Sequence, residues 1–315
     1  MIFIARDVVV CLAFFAVIYN ALSCLVASAW WIMRRVRQER EAVNSADWLF
    51  GLRILPFLGS LLFTVFFTFP SFWLLERKSF DEDATTFLLA VSALILLGVG
   101  LTRALEAQSR TNHTIKQWLC DANADKVVSA SATGAVATNA GKGAPSLMLV
   151  GLWRPKVMIS DMAARVLSES ELQVAIRHEL EHQRSRDNLK KLIINAVPFP
   201  GMEGITGAWR EASELAADDG AVRTHQDALD LATALIKLAR PSQQWVEPEL
   251  ASGLVCGSSS VALRVRRLLE WRAAERRLAR IWPWTIVVLF MVAWVATNYG
   301  TALALTHRLT ERIVP

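Results

Sequence analysis

Two histidines with a glutamate between them are the residues of this sequence best suited to chemistry. In His178-Glu179-Leu180-Glu181-His182 the imidazoles are four residues apart, so on a helix both project from one face. Two imidazoles placed in this way can bind one Zn²⁺ at about 2.0–2.1 Å each. In such sites the intervening Glu is the general base for the attacking water and not a ligand, so Glu179 is predicted to be catalytic. The pattern predicts a zinc-dependent peptidase.

A catalytic zinc site of this kind needs a third protein ligand, and an acidic stretch later in the chain offers candidates. Glu214 is the predicted ligand, and Glu211, one turn earlier on nearly the same face, is the alternative. Asp218 lies four residues after Glu214, and it is predicted to accept an N–H from a liganding imidazole. His225 is a weaker candidate for a ligand, and His113 is predicted to lie on the surface.

Helices must position these side chains. Ser168 and Glu171 fit a capping box, so the metal helix is predicted to run from Glu169 to about Ile194. Further helices are predicted over residues 209–224, 227–239 and 260–280. Ahead of them, residues 127–146 predict short strands and turns, and residues 146–151 and 155–160 predict the two strands of a hairpin. The segment therefore reads as an α+β domain with a small sheet.

The composition places this domain beside a membrane. The mean hydropathy is +0.33, and twelve Trp stand against two Tyr, which is typical of membrane proteins. Four uncharged runs are near or above the roughly 20 residues that span a bilayer: Val8–Met33, Ile54–Leu75, Ala84–Thr102 and Ile281–Thr306. We therefore predict a mostly α membrane protein with four transmembrane helices. The net charge of +5 does not indicate nucleic-acid binding, because many arginines flank these runs.

The flanking charges predict the orientation. The loop after the first run carries four arginines and the loop after the second run is net acidic, so the positive-inside rule places the polar segment in the cytoplasm and both termini outside. The predicted division is residues 1–105 for three membrane helices, 106–280 for the peptidase domain, 281–306 for a fourth membrane helix and 307–315 for a short extracytoplasmic tail.

The acidic stretch also carries a resemblance. Glu214-Leu215-Ala216-Ala217-Asp218 resembles the Glu-x-x-Ala-Asp element of two groups of membrane gluzincins. One group comprises HtpX and the CAAX prenyl protease, and the other comprises the BlaR/MecR-type antirepressor peptidases. Three predicted spans before the domain, one after it, and the similarity of residues 151–159 and 178–188 favour the BlaR/MecR type.

The resemblance implies Zn²⁺ bound by His178, His182 and Glu214, with Glu179 as base, in a bacterial inner membrane. It also implies that substrate adds as a strand at a sheet edge. Leu147 and Leu149 are the candidate edge residues. The implied partner is a protein or peptide substrate, such as a transcriptional repressor, with no direct nucleic-acid contact. Whether the chain forms a homo-oligomer is left open by the sequence.

One departure from the BlaR/MecR pattern bears on function. Those proteins continue into an extracellular penicillin-binding domain, whereas here only residues 307–315 follow the last run, so direct β-lactam sensing is not expected. Regulatory cleavage of a cytoplasmic protein is the predicted function. An HtpX-like quality-control protease and a non-catalytic signalling protein with a peptidase fold are the alternatives, and Glu179 disfavours the latter.

Overall fold

A computed structural model describes most of the chain. The described residues are 2–36, 46–75, 84–121, 127–130, 135–140, 147–152, 156–239, 250, 252–253, 258–271, 297 and 299–313. The protein is mostly helical, as predicted, and the helices fall into a membrane group and a group around a small sheet.

The membrane group is made of long apolar helices: α1 (Ile2–Val36), α2 (Ala46–Phe63), a π-helical turn (Thr64–Thr68), α3 (Phe69–Leu75) and α4 (Ala84–Asp121). Three segments of this group are long and apolar enough to cross a bilayer: Asp7–Arg35, Ala46–Ser71 and Ala84–Gln117. They coincide with the first three predicted runs. The predicted fourth run lies mostly outside the described residues, and only its end falls in α11 (Tyr299–Ile313).

The membrane helices contact the segment that follows α7 (Asp187–Ala196). The hydroxyl of Tyr19 on α1 donates a hydrogen bond of 3.0 Å to the carbonyl of Pro198. On α4, a Cβ at Gly100 would collide with the carbonyl oxygen of Ala196. Glycine is therefore required where α4 meets the segment around residues 196–198.

Among the residues that the structure describes, five strands form one sheet in the order β1-β2-β4-β3-β5: β1 (Val127–Ala130), β2 (Ala135–Ala140), β3 (Leu147–Val150), β4 (Lys156–Ser160) and β5 (Ser252–Gly253). β2 and β4 are parallel, and the other pairs are antiparallel. The hairpin of β3 and β4 is as predicted. Its connection begins at Gly151, whose φ of 101° is one that glycine adopts without strain.

The prediction that β3 is a free edge is wrong. β5 pairs with its outer side, with Met148 opposite Gly253 and Leu149 opposite Ser252. Leu147 and Leu149 are also buried in the core beneath the sheet. The pairing of β5 with β3 could not be predicted from the sequence, because β5 is only two residues long and lies about a hundred residues beyond β3.

The described residues of the domain form six further helices: α5 (Asp161–Val166), α6 (Glu169–Ser185), α7 (Asp187–Ala196), α8 (Glu203–Ala221), α9 (His225–Leu238) and α10 (Ser258–Leu269). The single metal helix predicted to reach Ile194 is instead two helices, α6 and α7. Arg186 separates them in the left-handed conformation, with a φ of 56°. The helix predicted from residue 209 begins earlier, at Glu203.

Two apolar cores flank α8. The first joins one side of β3 and β4 to α6, α9 and α10. The second joins α8 to α1 and α2 through buried residues such as Trp30, Leu49, Ile205 and Trp209. α8 therefore contacts both the core beneath the sheet and the membrane helices.

Candidate metal centre

Helix α6 presents the two histidines to the interior. Ser168 accepts a hydrogen bond from the Glu171 amide, and the Glu171 carboxylate accepts one from the Ser168 amide, so the predicted capping box is formed. The imidazoles of His178 and His182 project from one face of the helix, one turn apart, and both are buried. Their Nε2 atoms are 3.2 Å apart.

Helix α8 brings Glu214 to these imidazoles. One carboxylate oxygen of Glu214 lies 3.6 Å from the Nε2 of His178 and the other lies 3.5 Å from the Nε2 of His182. Glu211, the alternative ligand, is exposed to solvent on the same helix. His113 and His225 are also exposed. The packing of α8 against α6 thus selects Glu214.

This donor set fits a metal ion. One ligand atom each from His178, His182 and Glu214 lies within 4.8 Å of the others. In a tetrahedral site with bonds of about 2.0–2.1 Å, two ligand atoms are separated by about 3.3 Å. The Nε2 to Nε2 distance of 3.2 Å is close to that value. Two imidazoles and a carboxylate that leave one position open are the donors of catalytic zinc sites.

A carboxylate holds the other nitrogen of each imidazole. The Nδ1 of His178 lies 3.0 Å from Asp218, as predicted from the position of Asp218 on α8. The Nδ1 of His182 lies 2.6 Å from Asp187. A carboxylate beside each Nδ1 favours the tautomer in which Nε2 is free to bind a metal ion.

Asp187 was not identified as part of the site from the sequence alone. On an unbroken helix a residue five positions after His182 would be rotated by about 140° away from it. Arg186 adopts the left-handed conformation, so α7 begins in a new direction. This change of direction places the carboxylate of Asp187 beside the imidazole of His182. No local signal marks a non-glycine residue that will adopt this conformation.

Arg264 on α10 is the second residue that the sequence did not reveal. Its guanidinium is buried and donates to both oxygens of Asp218, at 2.8 and 2.7 Å, and to Glu214 at 2.9 Å. It holds both carboxylates in place and balances part of their charge. The sequence indicated only a basic amphipathic helix, and nothing distinguished Arg264 from its exposed neighbours.

The protonation of the centre reflects these contacts. Burial disfavours the charge of His178, but hydrogen bonds to Asp218 and Glu214 outweigh it and raise the pKa of His178 to about 9. Burial opposes ionisation of Glu214 and Asp218 too, yet the facing His and Arg264 charges hold both pKa values below their usual range. The carboxylates therefore favour positive charge at the centre, as a metal cation would supply.

Glu179, the predicted base, is fully buried on α6 between the two histidines in sequence. A cavity of about 300 Å³ lies beside His182 and is lined in part by Leu149, Gly151 and Asn188. The side-chain amide of Asn188 donates to the carbonyls of Leu149 and Gly151, at 3.2 and 3.1 Å. This link fixes the end of β3 next to the metal centre.

Two histidines one turn apart and a glutamate from a second helix form a candidate metal site, and three segments of the described chain are long and apolar enough to cross a membrane. The chain belongs to the BlaR1 peptidase M56 family, whose sequence profile matches residues 84–268. This confirms the resemblance to the BlaR/MecR type. Among curated proteins, no significant match is found.

Proposed function

We propose that the protein is a membrane-embedded zinc endopeptidase that cleaves a protein substrate on the cytoplasmic side. The observation that carries this proposal is the buried convergence of His178, His182 and Glu214 within 4.8 Å. Carboxylates on the far nitrogens of both imidazoles support it further, since they orient Nε2 toward a shared ion.

Each residue has a distinct role in this proposal. Zn²⁺ at the centre would act as a Lewis acid and make water a stronger nucleophile near neutral pH. Glu179 takes a proton from the attacking water and then delivers it to the leaving amine. Asp218 and Asp187 keep the imidazoles in the tautomer that binds metal, and Arg264 keeps Glu214 and Asp218 in place.

In this proposal one side chain of the substrate occupies the cavity of about 300 Å³ next to His182, and the fit of that side chain would supply selectivity.

A regulatory role, with a repressor-type protein as substrate, is favoured over general quality control by the position of α8. This helix carries Glu214 and Asp218 at one end, and its other end packs on α1 and α2 through Ile205 and Trp209. A displacement of the membrane helices would therefore reach the helix that supplies a metal ligand. Such a direct contact suits a peptidase that is switched by a membrane signal.

The function can be tested by comparing fragments. Membranes containing wild-type protein or Glu179→Gln protein would be incubated with the host proteome, and new amino termini would be identified by mass spectrometry. We expect one or a few defined cuts that only the wild type makes. Identical fragment sets would refute the peptidase function, and many unrelated cuts in membrane proteins would favour quality control.

The role of Asp218 leads to a prediction about metal affinity. Asp218→Asn should lower the affinity for zinc by roughly 10–100-fold, because the imidazole of His178 loses its charged acceptor. Added zinc should restore part of the activity. Titration against a fluorescent chelator measures the change. Asp219→Asn is the matched control, since Asp219 is the exposed neighbour paired with Arg267. An unchanged affinity in Asp218→Asn would contradict the role given to Asp218.

The proposed orientation can be measured independently of activity. Reporter enzymes that are active only outside the cell would be fused after Lys126 and after Pro315. We expect silence at Lys126 and activity at Pro315, because the loop after the first membrane helix is rich in arginine. The reverse result at either position would show that the orientation is wrong.

A further inference from the structure

A second polar cavity lies away from the metal centre, where the membrane helices meet the peptidase domain. Its volume is about 540 Å³. Four guanidinium groups and two carboxylates line it, which leaves an excess of positive charge; they belong to Arg53, Arg103, Arg110, Arg210, Glu106 and Glu203. The proposed peptidase function makes no use of these residues.

The cavity lies where the uncharged runs of two apolar helices end. On α4 the uncharged run from Ala84 ends at Arg103, and on α2 an apolar run begins just after Arg53. Both helices contribute these arginines to the one cavity, together with residues of α7 and α8. If these helices span a bilayer, the cavity lies at the depth of the lipid headgroups.

Arg53 gives independent support for a ligand. Its side chain is 4% exposed, and its Nη2 donates to the carbonyl of Val197 at 2.6 Å. Its Nε is buried, with no hydrogen-bond partner among the described residues. A buried guanidinium N–H without an acceptor is costly, so an acceptor from a bound molecule would stabilise it.

We propose that this cavity binds the headgroup phosphate of an anionic phospholipid. Guanidinium groups are well matched to phosphate because they donate in pairs, and basic pockets between membrane helices bind such headgroups. Inorganic phosphate shares the headgroup chemistry, but the position of the cavity at the ends of the uncharged runs of α2 and α4 favours a lipid as the source of the phosphate.

The site also joins the two parts of the molecule. Arg53 and Arg103 belong to membrane helices, whereas Arg210 belongs to α8, the helix that carries Glu214. A phosphate held by both sets would link α8 to α2 and α4 at the membrane surface. The position of the metal-binding helix would then depend on the lipid composition.

Lipid binding can be measured on the full-length protein by native mass spectrometry. Delipidated protein in mild detergent would be titrated with phosphatidylglycerol, with phosphatidylcholine and with inorganic phosphate. We expect one phosphatidylglycerol to bind preferentially. The double variant Arg103→Gln/Arg210→Gln should bind phosphatidylglycerol about 10–30-fold more weakly, because each arginine contributes roughly 1 kcal/mol to the binding free energy. Arg35→Gln is the control, because Arg35 is also an exposed arginine at a membrane-helix end but lies over Trp31, outside the cavity.

Three results would overturn the proposal. The first is equal affinity for phosphatidylcholine and phosphatidylglycerol. The second is unchanged phosphatidylglycerol binding in the double variant, and the third is binding of inorganic phosphate with no preference for the lipid. Both substituted arginines are exposed, so the double variant is expected to fold. An unfolding temperature equal to that of Arg35→Gln would verify this.

Discussion

Glu179→Gln should retain zinc at the wild-type level and still bind substrate, while peptide hydrolysis falls by about 10²–10⁴-fold or more. The amide has nearly the same shape as the carboxylate but cannot take a proton from water. Zinc content should not change, because the three proposed ligand atoms belong to His178, His182 and Glu214 and none belongs to Glu179. The measurement is zinc per chain beside turnover of one protein substrate.

The matched control for this variant is Glu181→Gln, which lies between the same two histidines in sequence. Glu181 pairs with Arg184, lies against Gly220 of α8 and is not part of the metal cluster. It should therefore retain wild-type turnover. If Glu179→Gln cleaves the substrate as fast as the wild type, the proposed mechanism fails. If the wild-type protein is itself inactive, a non-catalytic signalling protein is favoured.

Glu214→Ala should empty the metal centre, from about one zinc ion per chain to near zero, and abolish activity. The substitution removes one of three protein ligands and leaves Arg264 without one of its buried carboxylate partners. Glu211→Ala should keep its metal, because Glu211 is exposed one turn earlier on the same helix. Elemental analysis after mild chelation measures both.

Loss of metal through misfolding must be separated from loss of a ligand. Glu214→Gln keeps the volume of the side chain and a carbonyl acceptor for Arg264, so it should fold while binding zinc much more weakly. Its unfolding temperature should match that of chelated wild type. If Glu211→Ala loses its metal while Glu214→Ala retains it, the assignment of Glu214 as the third ligand is wrong.

Several features of the protein could be predicted from the sequence because they depend on neighbouring residues. An uncharged run long enough to cross a bilayer is a property of one segment, and three of the predicted runs coincide with long apolar helices. The capping box at Ser168 and the common face of His178 and His182 follow from helix geometry alone. The hairpin of β3 and β4 also depends on adjacent segments.

The tertiary structure decided the features that join distant segments. Glu214 and Glu211 share one helix face in sequence, and only the packing of α8 on α6 separates the buried residue from the exposed one. Asp187 reaches His182 because Arg186 breaks the helix, and Arg264 reaches Asp218 across 46 residues. β5 covers β3 through two backbone pairs. Such contacts arise from the burial of whole helices and strands, and the local pattern of one segment does not encode which distant residue will meet it.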